Sequence, residues 1–206
     1  IVVNSPNNPT GAVYPEETIR ELVAIAEEHD AILVSDEVYD HYDRSGRFTS
    51  ALSIDSPNRI VTNSFSKTFA ITGFRVGYAV FPEEHVEAAK ARHMLVNVAT
   101  TRPGQHAVLH ALRHTDPAYH EANRQLLADR VDTFTDALDE AGAAYTEPDG
   151  AFYVMARFDG YPGTIENTKE LIDDTGVAGM PGEAFGDAFD DWFRFALVTP
   201  RVEEAA

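Results

Sequence analysis

The sequence predicts an α/β fold, and three observations carry that prediction. Short apolar strands alternate with a segment of helical periodicity. The strands are apolar at consecutive positions rather than at every second one. Polar residues (Asn8, Asp36 and Ser64) collect just past the strands' carboxyl ends. Consecutive apolar strands joined through a helix are expected to form a parallel sheet buried on both faces, and ligands bind such sheets at the strand carboxyl ends.

Taken in order, Ile1-Val2-Val3 is a strand running into a Pro/Asn/Gly turn, Asn4 to Gly11. Pro15 to about His29 is helical, because Ile19, Leu22, Val23 and Ala26 recur at i, i+3, i+4 and i+7. Pro15 suits a first helical position, and Glu16 and Glu17 complement the positive end of the helix dipole. Ala31–Ser35 is an apolar strand ending at Asp36; Arg59–Asn63 and Val76–Phe81 are two more. Glu83 to about Val98 is helical, Thr100–Gly104 breaks the pattern, and a further helix runs to about His114. Leu127, Val131, Phe134 and Leu138 form the next helical stripe, which Gly142 closes. A short strand near Tyr145, a strand over Ala151–Phe158, a helix near Thr168–Thr175 and a strand over Trp192–Val198 complete the chain. The first region reads as α/β and the second as a small α+β domain. The boundary is expected near residue 95, inside a long helix, giving domains 1–95 and 96–206.

Composition narrows the function. The chain has 206 residues, 44% hydrophobic, enough for one sizeable core or two small ones. It carries 34 acidic against 16 basic residues, a formal net charge of -18. A field of that sign argues against nucleic acid and anionic membrane as partners. Its acid-rich, lysine-poor surface resembles proteins of halophilic microbes, since concentrated salt screens the self-repulsion. Cysteine is absent, which excludes disulfides and a thiolate nucleophile. The sequence has neither an 18-residue apolar run nor a visible secretory signal, so a cytoplasmic protein is expected. Because the first residue is Ile1, in what reads as a strand, upstream sequence is expected too.

Four segments carry chemistry: Asn4-Ser-Pro-Asn-Asn-Pro-Thr-Gly11; Ser35-Asp-Glu-Val-Tyr39; Ser64-Phe-Ser-Lys-Thr68 with Gly73-Phe-Arg-Val-Gly77; and Trp192-Phe-Arg-Phe-Ala196. In order and spacing they resemble the successive motifs of class I aminotransferases of the aspartate-aminotransferase fold. These enzymes depend on pyridoxal 5'-phosphate (PLP). The resemblance covers nearly the whole chain and implies the carboxyl-terminal part of the large PLP-binding domain, followed by the small domain.

What the resemblance implies for single residues begins at Lys67, as the amine that forms a Schiff base with the cofactor aldehyde and later moves a proton. Of three lysines, Lys90 and Lys169 sit in ordinary helical patterns, whereas Lys67 follows an apolar strand in a serine-rich turn. The bland reading is a solvated surface lysine. Asp36 matches the carboxylate paired with the pyridine nitrogen, against a strand-end turn aspartate. Tyr39 and Asn8 match the two groups that hydrogen-bond the cofactor 3'-oxygen, against a packing tyrosine and a plain polar turn. Asn8–Pro9 is a candidate cis bond. Ser64 and Arg75 match the phosphate cradle. Arg194 matches the arginine that grips the substrate α-carboxylate, with Asn8 beside it. A lone arginine inside an apolar strand needs a partner.

The resemblance therefore implies transfer of an amino group between an amino acid and a 2-oxo acid, in a homodimer. Three alternatives stay open: other PLP chemistry such as β-elimination, an effector domain of a transcription regulator, and an inactive truncated remnant. His106, His110 and His114 recur at i, i+4 without a carboxylate or cysteine to complete a metal set, and read as a solvated face. Met180–Gly186 resembles a family turn whose glycines turn geometry alone explains. Arg102 departs from the family's small polar residue and is a candidate for recognising an acidic side chain across the dimer.

Overall fold

The computed structural model describes all residues, Ile1–Ala206, and the chain packs as two compact units. Unit 1 comprises Ile1–Pro6, Val13–His41 and Gly46–His120; unit 2 comprises Asn7–Ala12, Tyr42–Ser45 and Glu121–Ala206. The boundary expected near residue 95 falls inside a helix, and the packing of unit 1 continues to His120.

Unit 1 is built on a four-stranded sheet, β1 (Val2–Asn4), β2 (Leu33–Asp36), β3 (Arg59–Ser64) and β4 (Gly77–Val80), in that order. The first three strands are parallel, as their apolar runs predict. Between β1 and β2 runs α1 (Glu16–Glu28), which buries Ile19, Val23 and Ala26 against Val3, Leu33, Ala51, Ile54 and Val61. Its helical stripe is the one the sequence displays. Burial of the six large aliphatic side chains in this cluster is worth about 1.5–3 kcal/mol each.

Two features differ from the sheet expected. β4 runs antiparallel to β3, pairing Ser64 with Gly77. The connection between them holds only α2 (Phe65–Thr68) and a single 3-10 turn, Thr72–Phe74, too short for the crossover a parallel partner requires. Burial also alternates: Val3, Leu33, Ser35, Val61 and Asn63 are buried, while Val2 is 78% exposed and Val34 and Ile60 are half-buried. Unit 1 continues with α3 (Glu83–Asn97), which buries no residue, and α4 (Arg102–His114), which starts inside the break expected over Thr100–Gly104 because Thr101 and Pro103 suit a helix start.

The helix α5 (Ala118–Glu140), in unit 2 from Glu121 onward, lays Val131, Phe134 and Leu138 on a second sheet of order β5-β6-β8-β7: β5 (Ala144–Tyr145), β6 (Tyr153–Arg157), β7 (Met180–Pro181) and β8 (Phe193–Ala196). All of its pairings are antiparallel. The helix α6 (Ile165–Thr175) begins earlier than its apolar pattern suggests, because the Thr164 hydroxyl accepts from the Asn167 N–H and caps it. A last turn, α7 (Val202–Ala205), packs Val202 into the same core.

Candidate active site

Each unit holds part of the expected set. In unit 1 the parallel pairing of β2 with β3 sets Asp36 opposite Thr62, so both strands end in polar residues at the same edge of the sheet. The backbone carbonyl of Asp36 accepts from Asn4 Nδ2 (3.0 Å) and from the Ser5 N–H (3.2 Å), and its Oδ1 accepts from the Val38 N–H (3.3 Å). Asp36 is thus fixed through main chain and side chain alike. Tyr39, three residues on, is buried at 4% exposure.

β3 ends at Ser64, whose hydroxyl caps α2 by accepting from the Ser66 N–H (3.1 Å). That hydroxyl also lies 2.8 Å from Ser66 Oγ and 3.2 Å from the Val76 carbonyl. The first turn of α2 delivers Lys67, whose Nζ sits 5.8 Å from the centroid of the Tyr39 ring. Lys67 is half-buried. Arg75 follows the 3-10 turn in a left-handed conformation, φ 55°. A non-glycine residue there stores about 1–3 kcal/mol of strain, which persists where the surroundings over-determine it. The Arg75 Nη1 donates to the Thr72 carbonyl (2.9 Å), and its own carbonyl accepts from the Thr100 hydroxyl (2.8 Å). No carboxylate pairs with its exposed guanidinium.

Unit 2 brings Asn8 and Arg194 together across 186 residues of sequence. Asn8 precedes a cis proline, as expected at Asn8–Pro9; Ser5–Pro6 is cis as well. Arg194 Nη1 donates to Asn8 Oδ1 at 3.1 Å. This is the one hydrogen bond of the Arg194 side chain, and its Nε is buried without a partner. In a chain with 34 carboxylates, none pairs with this guanidinium. A partly buried cation left without a counter-charge is costly, and an arriving carboxylate would relieve that cost.

Two contributions were not legible beforehand. The Arg194 Cζ lies 4.7 Å from the Tyr153 ring centroid and 5.1 Å from that of Phe185. Tyr153 is visible in the sequence only as one more strand aromatic. Phe185 lies in the Met180–Gly186 turn, whose glycines draw attention away from it.

The second is Glu37, buried at 3% exposure beside Asp36. Its Oε1 accepts from the Ser35 hydroxyl (3.0 Å) and the Ala51 N–H (2.8 Å), tying the 50–51 loop to the end of β2. Burial raises its pKa above the ordinary 4.5, more than these hydrogen bonds lower it. With the folded value above the unfolded one, the folded chain holds the proton more tightly. Glu37 therefore favours folding below about pH 4.5, and that contribution is lost as pH rises through its folded pKa. Glu37→Gln should reduce this loss, so its stability relative to the parent should rise with pH in urea unfolding from pH 4.5 to 8. A difference independent of pH would contradict the assignment.

The fold and this residue set define a class. The profile of aminotransferase class I and II matches residues 1–206, and the chain belongs to that family, whose cofactor is PLP. Among individual relatives it is 38% identical to a probable aspartate/prephenate aminotransferase of Thermus aquaticus over 90% of this chain and 49% of that protein. It is 34% identical to a probable aspartate aminotransferase of Methanocaldococcus jannaschii, over 97% and 54%. A solved aspartate aminotransferase of Thermus thermophilus, a single mutant, superposes with a TM-score of 0.91 at 34% identity, over 99% of this chain and 53% of that one. The chain spans about half the length of these relatives.

Proposed function

We propose that this chain carries the amine and the carboxylate grip of a PLP-dependent aminotransferase, which moves an amino group between an amino acid and a 2-oxo acid. The observation that carries the proposal is the gathering of Asp36, Tyr39 and Lys67 at the carboxyl ends of β2 and β3, with the Lys67 amine facing the Tyr39 ring. Family membership supports the same reading.

The donor set suits the cofactor. Lys67 offers a primary amine to an aldehyde, Asp36 an anchored carboxylate to a ring nitrogen, and Tyr39 and Asn8 polar groups to a phenolic oxygen. Ser64 and the carboxylate-free Arg75 suit a phosphate dianion. When bound, PLP supplies the electron sink that stabilises a carbanion at the substrate α-carbon. Asp36 would pair with the ring nitrogen and keep a proton on it. Lys67 Nζ takes the proton from the substrate α-carbon, and Arg194 with Asn8 orients the α-carboxylate. Borohydride reduction of the PLP-treated chain, followed by peptide mass spectrometry, should find the pyridoxyl mass on Lys67. Finding it on Lys90 or Lys169 instead would sink the proposal.

The relatives' names, for aspartate, prephenate and aromatic amino acids, support amino-acid and 2-oxo-acid substrates. Arg102 stands exposed at the start of α4 with no hydrogen-bond partner in the chain, and is proposed to favour an acidic substrate side chain. Arg102→Ala should then lower the preference for aspartate over alanine about tenfold or more, the scale of one charge-assisted hydrogen bond. An unchanged ratio of kcat/KM values would remove Arg102 from the account. A homodimer, a cytoplasmic location and adaptation to concentrated salt belong to the same proposal. The first rests on the family, and the last on a net charge of -18. No helix is long and apolar enough to cross a membrane.

A further inference from the structure

Arg194 is held in an unusual way. Its strand β8 lies between β6 and β7, and its backbone is in register with Met155 on one side and Met180 on the other. The side chain has no acidic partner. Two aromatic rings pack on the guanidinium instead, Tyr153 at 4.7 Å and Phe185 at 5.1 Å. Asn8 occupies Nη1. What remains is the edge formed by Nε and Nη2: Nε is buried and unpaired, and Nη2 makes no hydrogen bond.

The two rings reach Arg194 by different routes. Tyr153 is diagonal to it across the β6–β8 ladder, where Tyr153 pairs with Ala196 and Met155 with Arg194, so the two side chains emerge on the same face of the sheet. Phe185 comes from the 3-10 turn Gly182–Phe185, folded tightly beside β8. A Cβ on Gly182 would stand 1.9 Å from the Phe189 carbonyl oxygen and 2.3 Å from that of Trp192, and the Gly182 N–H donates to the latter at 2.7 Å. Gly186 leaves the turn at φ 111°, a conformation that glycine alone adopts freely. The glycines of the Met180–Gly186 segment thus permit a close turn, and one product of that turn is the placement of Phe185 on Arg194.

We propose that Tyr153 and Phe185 are positioning residues for Arg194, fixing the guanidinium plane so that its Nε–Nη2 edge receives the substrate α-carboxylate as two parallel hydrogen bonds. This rests on the reading of Arg194 as the carboxylate grip. Aromatic faces attract a guanidinium without satisfying its N–H groups, so they hold the plane while leaving the edge unspent. A carboxylate side chain in their place would neutralise Arg194 and compete with substrate. Preorganised walls also reduce the rotamer freedom lost when the ligand arrives.

The test measures binding of 2-oxoglutarate to the PLP-treated full chain by calorimetry, with circular dichroism confirming each variant's fold. Phe185→Leu and Tyr153→Leu should each weaken binding about tenfold, while Tyr153→Phe, which keeps the ring, should bind within about twofold of the parent. Arg194→Lys should lose binding by about a hundredfold. Loss in Arg194→Lys with full binding in both leucine variants would overturn the positioning role and leave the carboxylate grip standing. Full binding in Arg194→Lys would overturn the grip itself. A second readout does not depend on the leucine variants folding. In arginine-15N-labelled parent chain, the Nε–H signal that Arg194→Lys removes should shift and exchange more slowly when 2-oxoglutarate saturates the protein. A saturated protein whose Nε–H signal is unmoved would contradict engagement through this edge.

Discussion

Lys67→Ala is expected to lower amino transfer by about 10⁴-fold or more, since positioned acid–base groups alone contribute about 10²–10⁴-fold and Lys67, in the proposed function, also supplies the amine that captures the cofactor. Lys90 lies on α3, paired with Glu87 at 2.8 Å, and Lys169 lies on α6. The variant should fold, because Lys67 is half-buried on a four-residue helix whose cap is the Ser64 hydroxyl rather than the lysine. Rates with an amino-acid donor and 2-oxoglutarate check this, with Lys90→Ala and Lys169→Ala as controls that should keep full activity. A Lys67→Ala protein that retains a tenth of the parent rate would exclude Lys67 from the chemistry.

The second large effect belongs to Arg194. Arg194→Ala should raise KM for amino acids far more than it lowers kcat, because the guanidinium is proposed to hold a carboxylate that does not itself react. Truncating one partner of a desolvated charge pair costs about 2–5 kcal/mol, or about 30-fold to several thousandfold in kcat/KM. The loss should be confined to substrates with an α-carboxylate, so kcat/KM for a simple amine should change little. Arg194→Ala also leaves Asn8 Oδ1 without its Nη1 donor, a cost to the free protein that Arg194→Lys avoids in part. Equal losses for the amino acid and the amine would mean that the substitution damages unit 2 rather than a carboxylate site.

Much of this arrangement is legible in the sequence because local rules and long-range packing agree there. α1 shows its buried stripe at Ile19, Val23 and Ala26, and the apolar runs of β1 to β3 are parallel as their character requires. Asp36 and Lys67 stand out as polar residues placed where a buried strand stops, and Arg194 as a cation inside an apolar strand. What stays hidden depends on geometry that no short pattern encodes. The direction of β4 is decided by how little chain separates it from β3, not by its own residues. The alternating burial of β2 and β3 depends on which sheet face the rest of unit 1 covers. Glu37 reads as part of Asp-Glu-Val-Tyr, and only the packing of Ala51 and Ser35 around it reveals a buried carboxylate. Phe185 is named by its contact with Arg194, not by its place in a glycine-rich turn.

The most direct measurement is a titration of the chain with PLP in concentrated salt, followed by absorbance, with Lys67→Ala run alongside and circular dichroism confirming that both are folded. The parent chain should develop a saturable visible band that Lys67→Ala lacks. A folded parent that develops no band, or a band that persists undiminished without Lys67, would contradict the proposed role of Lys67.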